Sequence, residues 1–282
     1  MKFIALSSSS SGNATLITYK NTKILVDCGI SAKKIVDGLK KYNILPSEID
    51  YVLITHEHSD HIQGLPVLFT KYEINAEIIT QQETANAIMY EFRRLNKNSD
   101  ELNFNLIRPT SNINENYIKI KDIDMIAYES YHDVPCMFYK FKLGDTKVAI
   151  LTDCGTYNKS IEYALKNVNY LMLECNYDYE LLIRSPHYSD FVKKRIASDY
   201  GHMANFDTVR LIEKIDNDNL KKVYLSHISD HSNNELYAKE YCVRSLTKIS
   251  EEKKLSYNIA DKIDVAHRTE ETIILDEEDK DE

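Results

Sequence analysis

Residues 55–61 read Thr55-His56-Glu57-His58-Ser59-Asp60-His61 and place three imidazoles and an aspartate carboxylate within six positions. The stretch directly follows the apolar run 51–54, which has the character of a buried strand. A strand that ends in such a loop can direct several donor side chains at one point. Imidazole suits zinc, iron, manganese or nickel, and a carboxylate suits a second, harder ion. The alternative is a solvated turn with surface histidines. We interpret four residues here as metal ligands: His56, His58, Asp60 and His61.

Length and charge limit the class of protein. The 282 residues could form two small domains or one large α/β unit, and the formal net charge is −9. Residues 276–282 account for −5 of this charge, since they hold six acids and one lysine. We predict a single domain over residues 1–268 and an acidic, disordered tail over 269–282. No basic patch is evident, which counts against tight non-specific binding to DNA.

The cysteines and the N-terminal segment bear on the compartment. Five cysteines are scattered without a C-x-x-C pair, which fits reduced thiols in a cytosolic protein. Cys154 and Cys175 lie close to suspected site segments, but we interpret them as buried structural thiols. The N-terminal apolar stretch is too short for a signal peptide, and no long apolar segment follows. The sequence therefore predicts a soluble cytoplasmic protein that does not enter a membrane.

A serine-rich turn lies near the N-terminus. Residues 7–11 are all serine and precede Gly12-Asn13, with apolar runs on both sides. The run could be a flexible linker, but the flanking apolar segments favour a tight turn between two strands. Hydroxyls and free backbone N–H groups in such a turn can hold an anion. From here on, predicted strands and helices alternate, which indicates a layered α/β organisation.

Single polar residues follow other predicted strands. Asp27 ends one apolar run, and alone it would be interpreted as a turn former. His132 closes another, where a lone histidine is more often a satisfied surface residue than a ligand. Asp153 ends a buried run just before Gly155, a position from which its two oxygens could contact two cations. His227 ends the last buried run.

The pattern His56-x-His58-x-Asp60-His61 resembles the signature of the metallo-β-lactamase superfamily of hydrolases. The serine-glycine-asparagine turn at 11–13 and the segments 198–205 and 225–227 narrow the resemblance to its YycJ/WalJ-like group, described as single-domain, nuclease-type enzymes. The likeness runs from about residue 3 to residue 266. It implies an α/β fold in which two mixed β-sheets, flanked by helices, form a four-layer αββα sandwich.

The resemblance also implies a site for two divalent metal ions, zinc or manganese. One ion would be held by His56, His58 and His132. The other would be held by Asp60, His61 and His227. Asp153 would bridge the two ions, and Asp27 would brace the histidine loop through hydrogen bonds without binding metal.

Further residues receive substrate or proton-transfer roles from the same resemblance. His202 lies just before a predicted helix with Asn205 as its N-cap, and a helix N-terminus favours anions. We predict that Asp60 orients or deprotonates the attacking water and that His202 donates a proton to the leaving oxygen; the alternative for His202 is a packed or solvent-exposed histidine. The residues predicted to contact substrate are Ser10, Ser11, Asn13, Asn176 and Asn205.

The chain departs from the family pattern at a few positions. Tyr177 and Cys175 stand where the family typically has histidine and serine, which affects substrate preference more than metal binding. His231 stands where the family does not usually have histidine. Together with His187 and His267, we interpret it as ordinary surface.

These observations predict a metal-dependent phosphodiester hydrolase, specifically a DNA nuclease of the 5′-to-3′ exonuclease kind. Two ions about 3.5–4 Å apart activate a water molecule for in-line attack on a phosphoryl group. One alternative is an RNA or cyclic-nucleotide phosphodiesterase of the same fold. Another is a non-catalytic metal-binding protein, and a third is a thioester or lactam hydrolase. The predicted partner is a nucleic acid or nucleotide substrate, with no obligate protein partner.

Overall fold

The computed structural model describes residues 1–72, 74–112 and 115–278, and within these residues fourteen strands form two seven-stranded sheets. The strands of the first sheet are β1 (Lys2–Ser7), β2 (Ala14–Tyr19), β3 (Thr22–Val26), β4 (Tyr51–Leu53), β5 (Glu77–Thr80), β6 (Phe104–Leu106) and β14 (Thr272–Asp276). The strands of the second sheet are β7 (Ile118–Ile120), β8 (Ile123–Ser130), β9 (Cys136–Leu143), β10 (Thr146–Leu151), β11 (Tyr170–Glu174), β12 (Lys222–Ser226) and β13 (Ile263–Val265).

The two sheets are built alike. The first has the order β14-β1-β2-β3-β4-β5-β6, antiparallel from β14 to β3 and parallel from β3 to β6. The second has the order β7-β8-β9-β10-β11-β12-β13, antiparallel from β7 to β10 and parallel from β10 to β13. Short turns join β2 to β3, β7 to β8 and β9 to β10, whereas the parallel neighbours require crossover connections, several of them helical. Each sheet is therefore mixed, as the family resemblance led us to expect.

Helices cover the outer faces. The α-helices are α1 (Ala32–Lys41), α2 (Ser59–Ile62), α3 (Leu65–Lys71), α4 (Gln82–Arg94), α5 (Lys159–Leu165), α6 (Tyr179–Arg184), α7 (Asp190–Ile196), α8 (Asn205–Ile215) and α9 (Glu235–Glu252). Short 3-10 helices span Pro46–Glu48 and Ile259–Lys262. Ser31 caps α1, because its hydroxyl accepts a hydrogen bond from the backbone N–H of Lys34.

Three apolar layers hold the sandwich together. The inner layer, which includes Phe3, Met125 and Tyr139, lies between the two sheets. One outer layer packs α1, α3 and α4 against the first sheet, with Ile35 and Phe92 fully buried. The other packs α5, α8 and α9 against the second sheet, with Leu211 and Leu246 fully buried. This arrangement confirms the predicted αββα fold.

The predicted disordered tail is wrong for residues 272–276. These residues form β14, which pairs antiparallel with β1 at the edge of the first sheet. Ile274 and Leu275 are each only 4% exposed, so the strand contributes to the inner layer. The many acids of the tail concealed this short apolar run. Residues 279–282 of the predicted tail lie outside the described residues.

One predicted helix start is shifted. Asn205 was predicted to be an N-cap, but the cap of α8 is Ala204 and Asn205 is the first helical residue. The side-chain oxygen of Asn205 instead accepts hydrogen bonds from Asn233 and Cys175.

The five cysteines are free and buried, and Cys154 and Cys175 do not line the cavity described below. Within the described part of the chain, none of the helices combines the length and the apolar character that a membrane span requires.

Candidate active site

Strand ends bring the predicted ligands together. The loop after β4 carries His56, His58, Asp60 and His61, and Asp27 follows the parallel neighbour β3. In the second sheet, His132 follows β8, Asp153 follows β10 and His227 follows β12. Strands β8, β10 and β12 run in the same direction, so their carboxyl ends meet at one edge of the sheet. The site therefore lies where the carboxyl ends from both sheets converge, a common position for ligand sites in α/β proteins.

Three of these strand exits use a left-handed backbone conformation. The φ angles of Asp27, Asp153 and His227 are +57°, +56° and +53°. Positive φ is uncommon for residues other than glycine, although aspartate and histidine tolerate it better than most. At each of these three residues, the backbone turns out of its strand directly at the site. Such unusual conformations persist where the surrounding structure enforces them, and they cluster at functional sites.

The predicted ligands form two adjoining groups. His56, His58 and His132 make one group, and Asp60, His61, Asp153 and His227 make the other; within each group the potential ligand atoms lie within 4.8 Å of one another. Oδ1 of Asp153 lies 3.5 Å from Nε2 of His227 and 3.8 Å from Nε2 of His132. Asp153 thus contacts both groups, in the position of a bridging ligand.

Hydrogen bonds fix which imidazole nitrogen faces the site. Nδ1 of His61 lies 2.8 Å from Oδ2 of Asp27, and Nδ1 of His132 lies 3.0 Å from the carbonyl oxygen of Gly201. Nδ1 of His227 lies 2.9 Å from Oε1 of Glu174. In the neutral imidazole, each of these nitrogens donates to its oxygen and the lone pair on Nε2 is left for a metal ion, which would take the place of the Nε2 proton. This is the usual arrangement around metal-binding histidines.

Asp27 makes the contacts that the predicted bracing role requires. Besides His61, its carboxylate accepts hydrogen bonds from the backbone N–H of Thr55, at 3.0 Å, and from the Thr55 hydroxyl. It is 2% exposed. Gly29, two residues on, packs directly against the backbone of Asp60, where a Cβ atom would overlap the carbonyl group. Asp27 and Gly29, which follow β3, therefore support the histidine loop through direct contacts.

Glu174 is a functional residue that the sequence analysis did not assign. It ends β11 and is fully buried. Oε1 accepts hydrogen bonds from Nδ1 of His202 at 2.8 Å and of His227 at 2.9 Å, while Oε2 accepts from the backbone N–H groups of Cys154 and Met203. A single acid after four mostly apolar residues, Tyr-Leu-Met-Leu, was the signal that could have identified it.

The buried charges favour cations. Burial lowers the pKa of His227, but the carboxylates of Asp153, Asp60 and Glu174 outweigh it and raise that pKa to about 10. Burial raises the pKa of Asp153, but the imidazoles of His227 and His61 outweigh it and hold that pKa well below its usual range. Burial lowers the pKa of His56 well below its ordinary value. The carboxylates are thus ionised in the site, and the His56 imidazole is neutral, as a metal ligand must be.

Two buried atoms support the same conclusion. Among the described residues, Nε2 of His56 is buried without a hydrogen-bond partner, and Oδ2 of Asp153 is buried 3.1 Å from Nε2 of His61, a nitrogen that is itself a predicted ligand atom. A buried polar atom without a partner costs about 1–3 kcal/mol, so native proteins rarely leave one. Both atoms belong to the two ligand groups. The donor set of imidazole nitrogens and carboxylate oxygens fits divalent ions such as zinc or manganese.

The ligand groups open into a cavity of about 290 Å³. Ser10, Ser11, Asn176 and His202 line it, as their predicted roles require, together with five of the ligands: His58, Asp60, His132, Asp153 and His227. Asn176 also donates a hydrogen bond to the carbonyl oxygen of His227, at 2.8 Å.

Two predicted substrate contacts do not line the cavity. Asn13 is buried, and its amide nitrogen lies 3.2 Å from Nε2 of His61 and donates to the carbonyl oxygen of Ser9. Asn205 is 1% exposed, and its side-chain oxygen accepts hydrogen bonds from Asn233 and Cys175. Both asparagines support neighbouring loops, so we correct their predicted role as substrate contacts.

The cavity has a further wall that the sequence analysis missed. Tyr188, Arg195 and His231 line it, although His231 was interpreted as ordinary surface. Nη1 of Arg195 lies 3.1 Å from Oδ2 of Asp133, whose other oxygen lies 3.3 Å from Nε2 of His58. His187 stacks on His231, whereas His267 contacts Glu235 and does not line the cavity.

Comparison with known proteins extends the likeness over most of the chain. A family model for the beta-lactamase superfamily domain matches residues 22–228. The exodeoxyribonuclease WalJ of Streptococcus pneumoniae is 35% identical over 234 residues, which cover 82% of this chain and 83% of that protein. The exodeoxyribonuclease YycJ of Bacillus anthracis is 30% identical over 254 residues, covering 90% of each chain.

A solved structure shares the fold at low sequence identity. The short form of human tRNase Z matches with a TM-score of 0.66 and 15% identity, covering 98% of this chain and 100% of that chain. At this identity the likeness concerns the fold alone.

Proposed function

This chain belongs to the beta-lactamase superfamily, in the group of the WalJ and YycJ exodeoxyribonucleases, and from that premise we propose that it is a metal-dependent nuclease that hydrolyses DNA from an end. The observation that carries the proposal is the convergence of seven nitrogen and oxygen donors in two adjoining groups, with Asp153 between them and five of the seven residues lining one cavity. Relatives named exodeoxyribonucleases that align over most of their length support DNA as the substrate.

The metal ions would be held by the two ligand groups, with His56, His58 and His132 on one side and Asp60, His61 and His227 on the other. When bound, two such ions neutralise phosphoryl charge and lower the pKa of a water molecule. Zinc and manganese both suit this donor set.

The phosphate group is oriented by polar residues of the cavity wall. Ser10 and Ser11 offer hydroxyls on one side. Arg195 contributes a guanidinium, which is partly neutralised by Asp133 but 54% exposed and therefore able to contact a second oxygen acceptor.

Two residues, His202 and Asp60, transfer protons in this proposal. His202 donates a proton to the leaving oxygen from Nε2, because its Nδ1 is held by Glu174. Asp60, whose Oδ2 lies 3.2 Å from Nε2 of His227, orients the attacking water and accepts its proton. Glu174 acts as a positioning residue, since it holds both His202 and His227.

The test compares substrates and variants. Metal-loaded protein is incubated with single- and double-stranded DNA labelled at either end, with RNA and with cyclic nucleotides, and metal content is measured in parallel. We expect DNA to be shortened from one end, and 5′-to-3′ polarity would release the 5′ label first. Asp60→Ala should abolish cleavage, whereas His267→Ala, a surface histidine outside the cavity, should behave as wild type.

Other outcomes identify the alternatives. Equal activity of wild type and Asp60→Ala, with metal bound, would leave a non-catalytic metal-binding protein. Turnover of RNA or cyclic nucleotides without turnover of DNA would show that the protein is an RNA or cyclic-nucleotide phosphodiesterase. Neither result is compatible with the proposed DNA nuclease.

A further inference from the structure

An aromatic cluster at the mouth of the cavity is not used by the hydrolytic chemistry. It consists of His187, Tyr188 and His231, which we call the aromatic wall. Tyr188 and His231 line the same cavity as the metal ligands. His187 and His231 are exposed and lie in loops outside the sheets, so they are not part of the core.

The three rings have a defined arrangement. The imidazoles of His187 and His231 stack with their centroids 4.2 Å apart and their planes at 19°. Tyr188 packs edge-on against His231, with centroids 5.7 Å apart and planes at 71°. Offset stacking and edge-to-face contacts are the preferred geometries of aromatic pairs. The wall is therefore an ordered surface and not three independent side chains.

Neighbouring contacts hold the wall in place. Tyr188 packs against a small apolar cluster formed by Tyr177, Leu182, Ile196 and Ala204. Its hydroxyl lies 3.4 Å from Oγ of Ser229, and the same Oγ accepts a hydrogen bond from the backbone N–H of His231 at 3.3 Å. A rigid surface loses little entropy when a ligand binds, which favours binding.

The chemistry of the wall suits a nucleobase. Flat aromatic side chains bind unpaired bases by stacking, and they tolerate every base because each has a π face. The phosphate groups belong at the metal ligands, Ser10 and Ser11, whereas the wall offers π surface beside them in the same cavity. The cavity of about 290 Å³ is at the lower end of small-ligand sites, so it suits one nucleotide and not a base-paired duplex.

We propose that the aromatic wall is a base-binding subsite in which His231, supported by His187 and Tyr188, stacks on the unpaired base of the nucleotide at the strand end. This inference rests on the proposed nuclease function and specifies its substrate as a single-stranded or frayed DNA end. It also explains why a protein of net charge −9 can bind DNA, since stacking adds to the few phosphate contacts.

The test uses an oligodeoxynucleotide and two copies of it that lack the base at one or the other terminal nucleotide. For each protein, the measured quantity is the ratio of kcat/KM on the intact strand to kcat/KM on the strand with the abasic end. We expect this ratio to be about tenfold in wild type, as base stacking on aromatic side chains predicts. In His231→Ala it should fall towards one, and His231→Phe should restore it.

The controls separate stacking from damage to the fold. His267→Ala should keep the wild-type ratio, because His267 does not line the cavity. A variant that is merely misfolded would lose activity on both strands and keep the ratio. A wild-type ratio near one, or a ratio unchanged in His231→Ala, would overturn the base-binding subsite.

A binding measurement distinguishes the two proposals. Fluorescence anisotropy with phosphorothioate strands, which resist hydrolysis, measures Kd for the intact strand and for the strand with the abasic end. The ratio of these two Kd values is then compared between wild type and His231→Ala. If this ratio depends on His231 although DNA is not cleaved, the nuclease function fails and the subsite stands. If DNA is cleaved but both ratios are one, the subsite fails and the nuclease function stands.

Discussion

At the scale of single residues, the site depends on carboxylates that hold imidazoles. Asp27 fixes His61, and Glu174 fixes both His202 and His227. In each case the acceptor selects the nitrogen that remains free for a metal ion or a proton. These carboxylates are therefore as necessary to the proposed chemistry as the ligands that they orient.

Asp27→Asn tests this dependence at the histidine loop. Asparagine tolerates positive φ, so the substitution removes the charge and leaves the backbone turn intact. We expect metal affinity to fall about 10- to 100-fold, the usual cost of losing an acceptor behind a metal-binding histidine. Titration against a competing chelator measures it. The matched control is Asp122→Asn, because Asp122 contacts Thr22 at the opposite end of β3. An equal loss of metal affinity in both variants would contradict the prediction.

Glu174→Gln tests the buried carboxylate. Its two oxygens accept from four N–H donors, whereas glutamine has one acceptor oxygen and places an NH₂ group against two of them. Since each of the two unsatisfied buried donors costs about 1–3 kcal/mol, we expect the free energy of unfolding to drop by about 2–6 kcal/mol. Urea unfolding measures it. Glu162→Gln, which breaks only a surface pair with Lys214, should cost less than about 1 kcal/mol.

The structure brings the predicted metal ligands together, whereas two predicted substrate contacts, Asn13 and Asn205, do not line the cavity. The family resemblance supplied His132, Asp153 and His227, and because each follows a buried strand they lie at one edge of the sheet. Whether Asn13 or Asn205 faces the cavity depends on which loop packs behind it, and the sequence does not reveal this. The aromatic wall was missed for the same reason, because His187 and His231 are 44 positions apart in the chain.

At the scale of elements, β14 shows how the C-terminal segment contributes to the first sheet. It was concealed in an acidic region, yet it covers the edge of β1 and adds buried side chains to the inner layer. An uncovered strand edge invites pairing with other chains. The strand therefore has two effects, stabilising the sheet and protecting its edge.

Leu275→Ala and Ile273→Ala test the contribution of the buried side chains of β14 to stability. Leu275 is 4% exposed and Ile273 is 52% exposed on the same short strand. Truncation of the buried leucine leaves a cavity, so we expect a loss of about 2–4 kcal/mol in the free energy of unfolding. The exposed isoleucine should cost less than about 1 kcal/mol. If denaturant unfolding gave equal losses, β14 would not pack as described.

At the scale of the whole molecule, charge and cavity size favour action at ends. The net charge is −9, and Arg195 is the one arginine or lysine among the described residues that line the cavity. Few phosphate contacts mean weak non-specific binding to the interior of a DNA chain. A strand end, by contrast, can place a phosphate at the ligand groups and a base at the aromatic wall together. In the proposed function, the two halves of the cavity act on the same terminal nucleotide.

A covalently closed single-stranded circle tests this preference for ends. The circle has the same sequence and charge as its linear form but offers no terminal nucleotide to the cavity. We expect its cleavage to be at least about a hundredfold slower, the loss that a small misplacement of the reacting group produces. Loss of intact circle on a denaturing gel measures the rate, and the same circle cut once before the assay is the control. Nicking of the closed circle at the linear rate would show that the cavity admits the chain interior, and the assignment of exonuclease action would then be wrong.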